Sequence, residues 1–107
     1  MNKKMYWLYL FVAIIFEVIG TTAMKWSNGL TNIRGTIVMF VCYGLSFTSL
    51  AVALKGIDIS IAYAIWSGLG IVCITFIGLF LFHEMMSVKK IVGIAFVIVG
   101  VVLLKTN

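Results

Sequence analysis

Four apolar stretches of about twenty residues, separated by breaks of only a few residues, leave this chain few ways to fold. They cover roughly residues 4–24, 32–54, 58–82 and 87–105. Turn-forming residues punctuate them: Ser27-Asn28-Gly29 after the first, Lys55-Gly56 after the second, and His83-Glu84-Met85-Met86 after the third. Asp58 and Ser87 stand where N-caps of the third and fourth helices are expected. Breaks this short force neighbouring helices to run antiparallel. The expectation is an all-α membrane protein with four transmembrane helices, a single domain over 1–107, and both termini on one side. The fourth stretch is the shortest, since its uncharged core is only Ile91 to Leu104. From Val88 to Lys105 it still reaches about 27 Å as a helix, and Lys89, Lys90 and Lys105 can snorkel from its ends.

Composition agrees: 64% of the 107 residues are hydrophobic and 10% are charged, with mean hydropathy +1.21. Soluble domains carry about a quarter charged residues. The net charge of +5 does not point to nucleic acid, because the basic residues sit singly or in pairs between apolar runs, where the chain emerges into headgroups and they can meet anionic lipid. Lys3, Lys4, Lys55 and Lys105 fall on one face of the membrane; Lys25, Arg34, Lys89 and Lys90 fall on the other. Four against four gives the positive-inside rule nothing to choose between. Three outcomes remain open: insertion in both orientations with an antiparallel dimer, one dominant loop charge, or a partner chain that fixes orientation. Cys42 and Cys73 lie mid-stretch as small buried hydrophobes, not as a metal pair. The acid in the first stretch and the lack of a small-x-small site argue against a cleaved signal peptide.

That acid is Glu17, the only ionisable acid or base between Met5 and Met24. It lies about 20 Å along the helix from Lys4 and about 12 Å from Lys25. A carboxylate at this depth costs at least ~2–3 kcal/mol, so it marks a functional site by default. Its helical face carries Leu10, Ala13, Ile14, Gly20, Thr21 and Met24, with the small residues Ala13 and Gly20 leaving room or permitting close packing. Tyr63 and Trp66 share a face of the third helix, as Tyr43 and Ser46 do in the second. A carboxylate beside aromatic ring faces suits an organic cation, charge meeting charge and rings accepting varied shapes. Gly68 and Gly70 offer either close packing or a hinge for alternating access. Gly93 and Gly100, two turns apart, form a groove for helix contact, most simply between subunits. No catalytic motif is present: no Walker A, GxSxG or HExxH pattern occurs, and lone His83 beside Glu84 is no metal set. The chain is therefore not read as an enzyme, and no metal or cofactor is expected. A scaffold subunit would leave Glu17 unexplained, and a passive cation pore would ask for more than one acid per chain.

Glu17-Val18-Ile19-Gly20-Thr21-Thr22 with Met24-Lys25, and Ile61-Ala62-Tyr63-Ala64-Ile65-Trp66-Ser67-Gly68-Leu69-Gly70, resemble the small multidrug resistance family. The resemblance covers nearly the whole chain, including the Gly93–Gly100 pair. It implies a multi-pass exporter of the bacterial inner membrane, built as an antiparallel, dual-topology dimer and exchanging small organic cations for protons, with protons the coupling ion. It also implies roles. Glu17 is the shared proton and substrate carboxylate. Tyr43, Tyr63 and Trp66 contact substrate, and Leu10, Ala13, Ile14, Gly20 and Thr21 line the first span. Gly68 and Gly70 form the kink, and Gly93 and Gly100 the dimer contact. Ser46 joins the substrate group through its place beside Tyr43. Gly20, where guanidinium exporters carry Trp, and Trp66-Ser67-Gly68, where they often read Trp-Thr-Gly, imply the quaternary-ammonium and multidrug branch. Lys55-Gly56-Ile57-Asp58 and Met24-Lys25-Trp26 also resemble members that export polyamines such as spermidine as heterodimers. A guanidinium or polyamine exporter, and a second similar subunit, stay open alongside the homodimer.

Overall fold

The computed structural model describes residues 2–106. Four α-helices account for most of them: α1 (Lys3–Trp26), α2 (Ile33–Ala53), α3 (Ile59–Leu81) and α4 (Val88–Lys105). No strand occurs among the described residues. Local chemistry sets most of the boundaries. The Asn2 side chain accepts the Met5 amide, Asn32 accepts those of Arg34 and Gly35, and Ser87 accepts that of Lys90. Asp58 holds the cap position of α3, but its side chain makes no cap hydrogen bond, so that expected cap is only positional. The first turn uses left-handed backbone at Asn28, Gly29 and Leu30, held by buried Ser27, whose hydroxyl donates to the Met24 carbonyl and accepts the Leu30 amide. Gly56 does not serve as a left-handed stop; the Tyr6 ring packs directly on it, in the space a Cβ would fill.

Helices α1, α2 and α3 are each long and apolar enough to cross a bilayer. Helix α4, 18 residues long with Lys89, Lys90 and Lys105 at its ends, reaches about 27 Å. The described chain is that of a multi-pass membrane protein. In space the order is α2–α1–α3–α4, with α1 packed most extensively on α2 and α4 resting on α3. The result is thin, 40 × 35 × 16 Å, little more than one layer of helices.

Such a layer can bury only its seams. Leu10, Ala13, Ile14, Val18, Leu50, Ala53, Ile57, Ala62, Ile65 and Val101 form the core cluster. Ala13 and Ser46 show how closely α1 and α2 approach: the wholly buried Ser46 hydroxyl donates to the Ala13 carbonyl at 2.6 Å. At the α3–α4 seam, Gly68 faces Val97 and Val101, and a Cβ there would lie 2.6 Å from Val101. Cys42 is buried as expected; Cys73 is exposed on the outer side of α3, since a single layer leaves half of each helix uncovered. Large apolar side chains such as Phe40, Phe80, Phe96 and Leu103 face outward for the same reason, toward lipid or another chain.

Candidate functional site

Glu17 projects from the middle of α1 into a cavity of about 360 Å³ between α1 and α3. Thr21, Trp66, Ser67, Gly70, Ile71, Ile74 and Thr75 complete its walls. The two carboxylate oxygens differ. Oε1 accepts the Thr21 hydroxyl at 2.9 Å, while Oε2 is buried with no hydrogen-bond partner among the described residues. Thr21 in turn lies 2.6 Å from the Tyr43 hydroxyl. With Glu17 ionised, Thr21 gives its one proton to the carboxylate and Tyr43 donates to Thr21. The chain of donors therefore runs from Tyr43 on α2 through Thr21 to Glu17, and all of it points at the carboxylate.

An unpaired buried polar group costs about 1–3 kcal/mol, more when charged. Two such groups belong to residues that line the cavity, since the buried Trp66 indole Nε1–H also lacks a partner among the described residues. An unpaired acceptor and an unpaired donor on two residues of one cavity wall mark it as the candidate site. Glycine makes the room. A Cβ on Gly70 would sit 3.0 Å from Glu17 Oε2, so the space beside the acid comes from α3. The space at Gly20 is not free: the Tyr43 ring occupies it, 2.6 Å from where a Cβ would lie. Gly20 therefore admits Tyr43 to the donor chain, and volume beside the carboxylate is not its contribution.

The remaining residues singled out by sequence divide into groups. Tyr43, Phe47, Trp66 and Tyr63 form a run of tilted rings with successive centroids 6.1, 5.9 and 5.4 Å apart. Trp66 faces the cavity, whereas Tyr63 is exposed at the end of the run. Leu10, Ala13, Ile14 and Ser46 are buried in the helix seams, Leu10 and Ile14 beside α4 instead of Glu17's cavity. Helix α3 is continuous through Gly68 and Gly70, with no break between them. Among the described residues nothing lies within 4 Å of a Cβ built on Gly93 or Gly100, so that face of α4 is open. Sequence reasoning passed over Phe47, four residues after Tyr43 and so on the same face, and Ser67, Ile71, Ile74 and Thr75, which continue the Trp66–Gly70 face at helical spacing.

Three helices long and apolar enough to cross a bilayer, with a buried carboxylate beside a cavity, make this a small membrane protein with a charged site inside its spans. The chain belongs to the small multidrug resistance family: the family model for the Small Multidrug Resistance protein matches residues 5–98. It is 47% identical over 98 residues to the uncharacterized membrane protein YvaE of Bacillus subtilis, covering 92% of this chain and 82% of that one. It is 42% identical over 98 residues to the quaternary ammonium compound-resistance protein QacE of Escherichia coli, covering 92% of this chain and 89% of that one.

Proposed function

We propose that this protein is a proton-coupled antiporter that exports hydrophobic organic cations, quaternary ammonium compounds among them, across the bacterial inner membrane. The observation that carries the reading is Glu17, which lines a cavity walled by Trp66, Ile71 and Ile74 and whose Oε2 is buried with no partner among the described residues. A carboxylate in such a place is neutralised either by a proton or by a cation, and the two exclude each other. If the protein changes its open side readily only when neutralised, uphill cation export follows from proton entry. The apolar and aromatic walls suit a cation whose charge is shielded by hydrocarbon. The similarity to QacE supports the same substrate class.

The functional unit in this reading is an antiparallel dimer. A layer 16 Å thick leaves the Glu17 groove open along one side, and the open face at Gly93 and Gly100 offers α4 a close helix contact. Two copies in opposite orientation would enclose two Glu17 carboxylates and the aromatic run in one chamber.

The test is uptake into proteoliposomes under an imposed proton gradient, with tetraphenylphosphonium, guanidinium and spermidine compared. The expected result is gradient-dependent movement of tetraphenylphosphonium that stops when the gradient is dissipated. Movement of guanidinium or spermidine alone would replace the substrate class, and movement indifferent to the gradient would overturn antiport.

A further inference from the structure

At the C-terminal end of α1, beyond the Glu17 cavity, lies a second and smaller cavity of about 120 Å³. Thr21 and Ile74 line both, so the two are neighbours along one groove. The outer one is lined by Lys25 from α1 and by Phe82 and Glu84 from the α3–α4 turn. Its construction is specific. Left-handed backbone at His83 turns the chain, and the Glu84 amide donates to the Gly78 carbonyl at 2.9 Å. The Glu84 carboxylate then lies on Gly78, in space that any Cβ would take. From there Oε2 reaches the Lys25 ammonium at 3.3 Å, and the same ammonium stands 5.9 Å from the centre of the Phe82 ring.

A carboxylate and an aromatic face converging on one ammonium are the two groups that recognise an organic cation. Here the cation present is the protein's own. We propose that Glu84 and Phe82 form an outer binding site for small alkylammonium cations, held by the Lys25 ammonium until a substrate cation displaces it. This rests on the reading of Glu17 as the inner cation site and adds a station before or after it. Displacement is easy because Lys25 and Glu84 are half-exposed, with 59% and 43% of their side chains accessible, and ion pairs so exposed are weak. Lys25 can release Glu84 into water or lipid headgroups without burying its charge. Gly78 and Phe82 fix where the carboxylate and ring meet, so the site persists when Lys25 leaves.

The test is a titration of the full-length protein in detergent with tetramethylammonium chloride, following the backbone amide resonances of Phe82 and Glu84, with sodium chloride as the control. Saturable shifts are expected in the wild type and in Glu17→Gln, because the outer site does not use the inner acid. Glu84→Gln should abolish them, and Lys25→Met should tighten binding by up to about fivefold, the factor that an exposed ion pair can supply. Shifts that match sodium chloride, survive Glu84→Gln, or are unchanged in affinity by Lys25→Met would overturn the outer site. Loss of the shifts in Glu17→Gln would overturn its independence. Failure of the inner-site reading shows elsewhere, in cation-driven proton release that no longer depends on Glu17.

Discussion

Tyr43 reaches Glu17 only through Thr21, and this makes a double-mutant cycle informative. Thr21→Val keeps the shape and removes the one hydroxyl bonded to the carboxylate among the described residues; Tyr43→Phe keeps the ring against Gly20 and removes the hydroxyl behind it. A hydrogen bond to an anion is roughly twice as strong as one to a neutral acid, so its loss weakens the cation-bound state more than the protonated one. With about 1.5–3 kcal/mol for the charged bond, the difference is about 1 kcal/mol, or roughly fivefold in tetraphenylphosphonium affinity for Thr21→Val. Tyr43→Phe acts by loosening the Thr21 hydroxyl and should cost less, about twofold to threefold. In the Thr21→Val background it should cost nothing further, since nothing remains to relay. The assay is equilibrium binding of tetraphenylphosphonium to the four proteins at one pH. An equal loss from Tyr43→Phe in both backgrounds would refute the relay and give the tyrosine hydroxyl a direct part in binding.

Other substitutions test the packing that holds the site. Gly70→Ala puts a methyl 3.0 Å from Glu17 Oε2 and should weaken tetraphenylphosphonium binding about tenfold with little change in thermal stability, read by binding and melting side by side. Ser46→Ala removes the buried bond to the Ala13 carbonyl and should lower stability by about 1 kcal/mol, measured by unfolding in mixed micelles. Gly56→Ala drives a methyl into the half-buried Tyr6 ring, which must shift, and should cost about 1–3 kcal/mol in the same assay.

Much of the fold was legible because its determinants are local. The apolar lengths place each helix end within two residues of the predicted stretch, and Ser87 caps α4 as expected, whereas the Asn32 cap was not read and Asp58 makes no cap bond. What could not be read were partners across helices. Helical spacing put Gly20 on the Glu17 face, but only packing shows that Tyr43 fills its space while Gly70, from another helix, clears the carboxylate. Leu10, Ala13 and Ile14 share that face by angle, yet the breadth of a helix face lets them meet α2, α3 or α4. Lys25 and Glu84 are 59 positions apart in sequence, and the turn that joins them depends on a left-handed histidine no pattern announces.

The central claim is that one carboxylate serves both cation and proton, and proton release on cation binding measures it most directly. Tetraphenylphosphonium added to weakly buffered, detergent-solubilised wild-type protein should release protons in proportion to the cation bound. Glu17→Gln should bind the cation far more weakly and release none. A Glu17→Gln protein that binds with wild-type affinity and still releases protons would contradict the account.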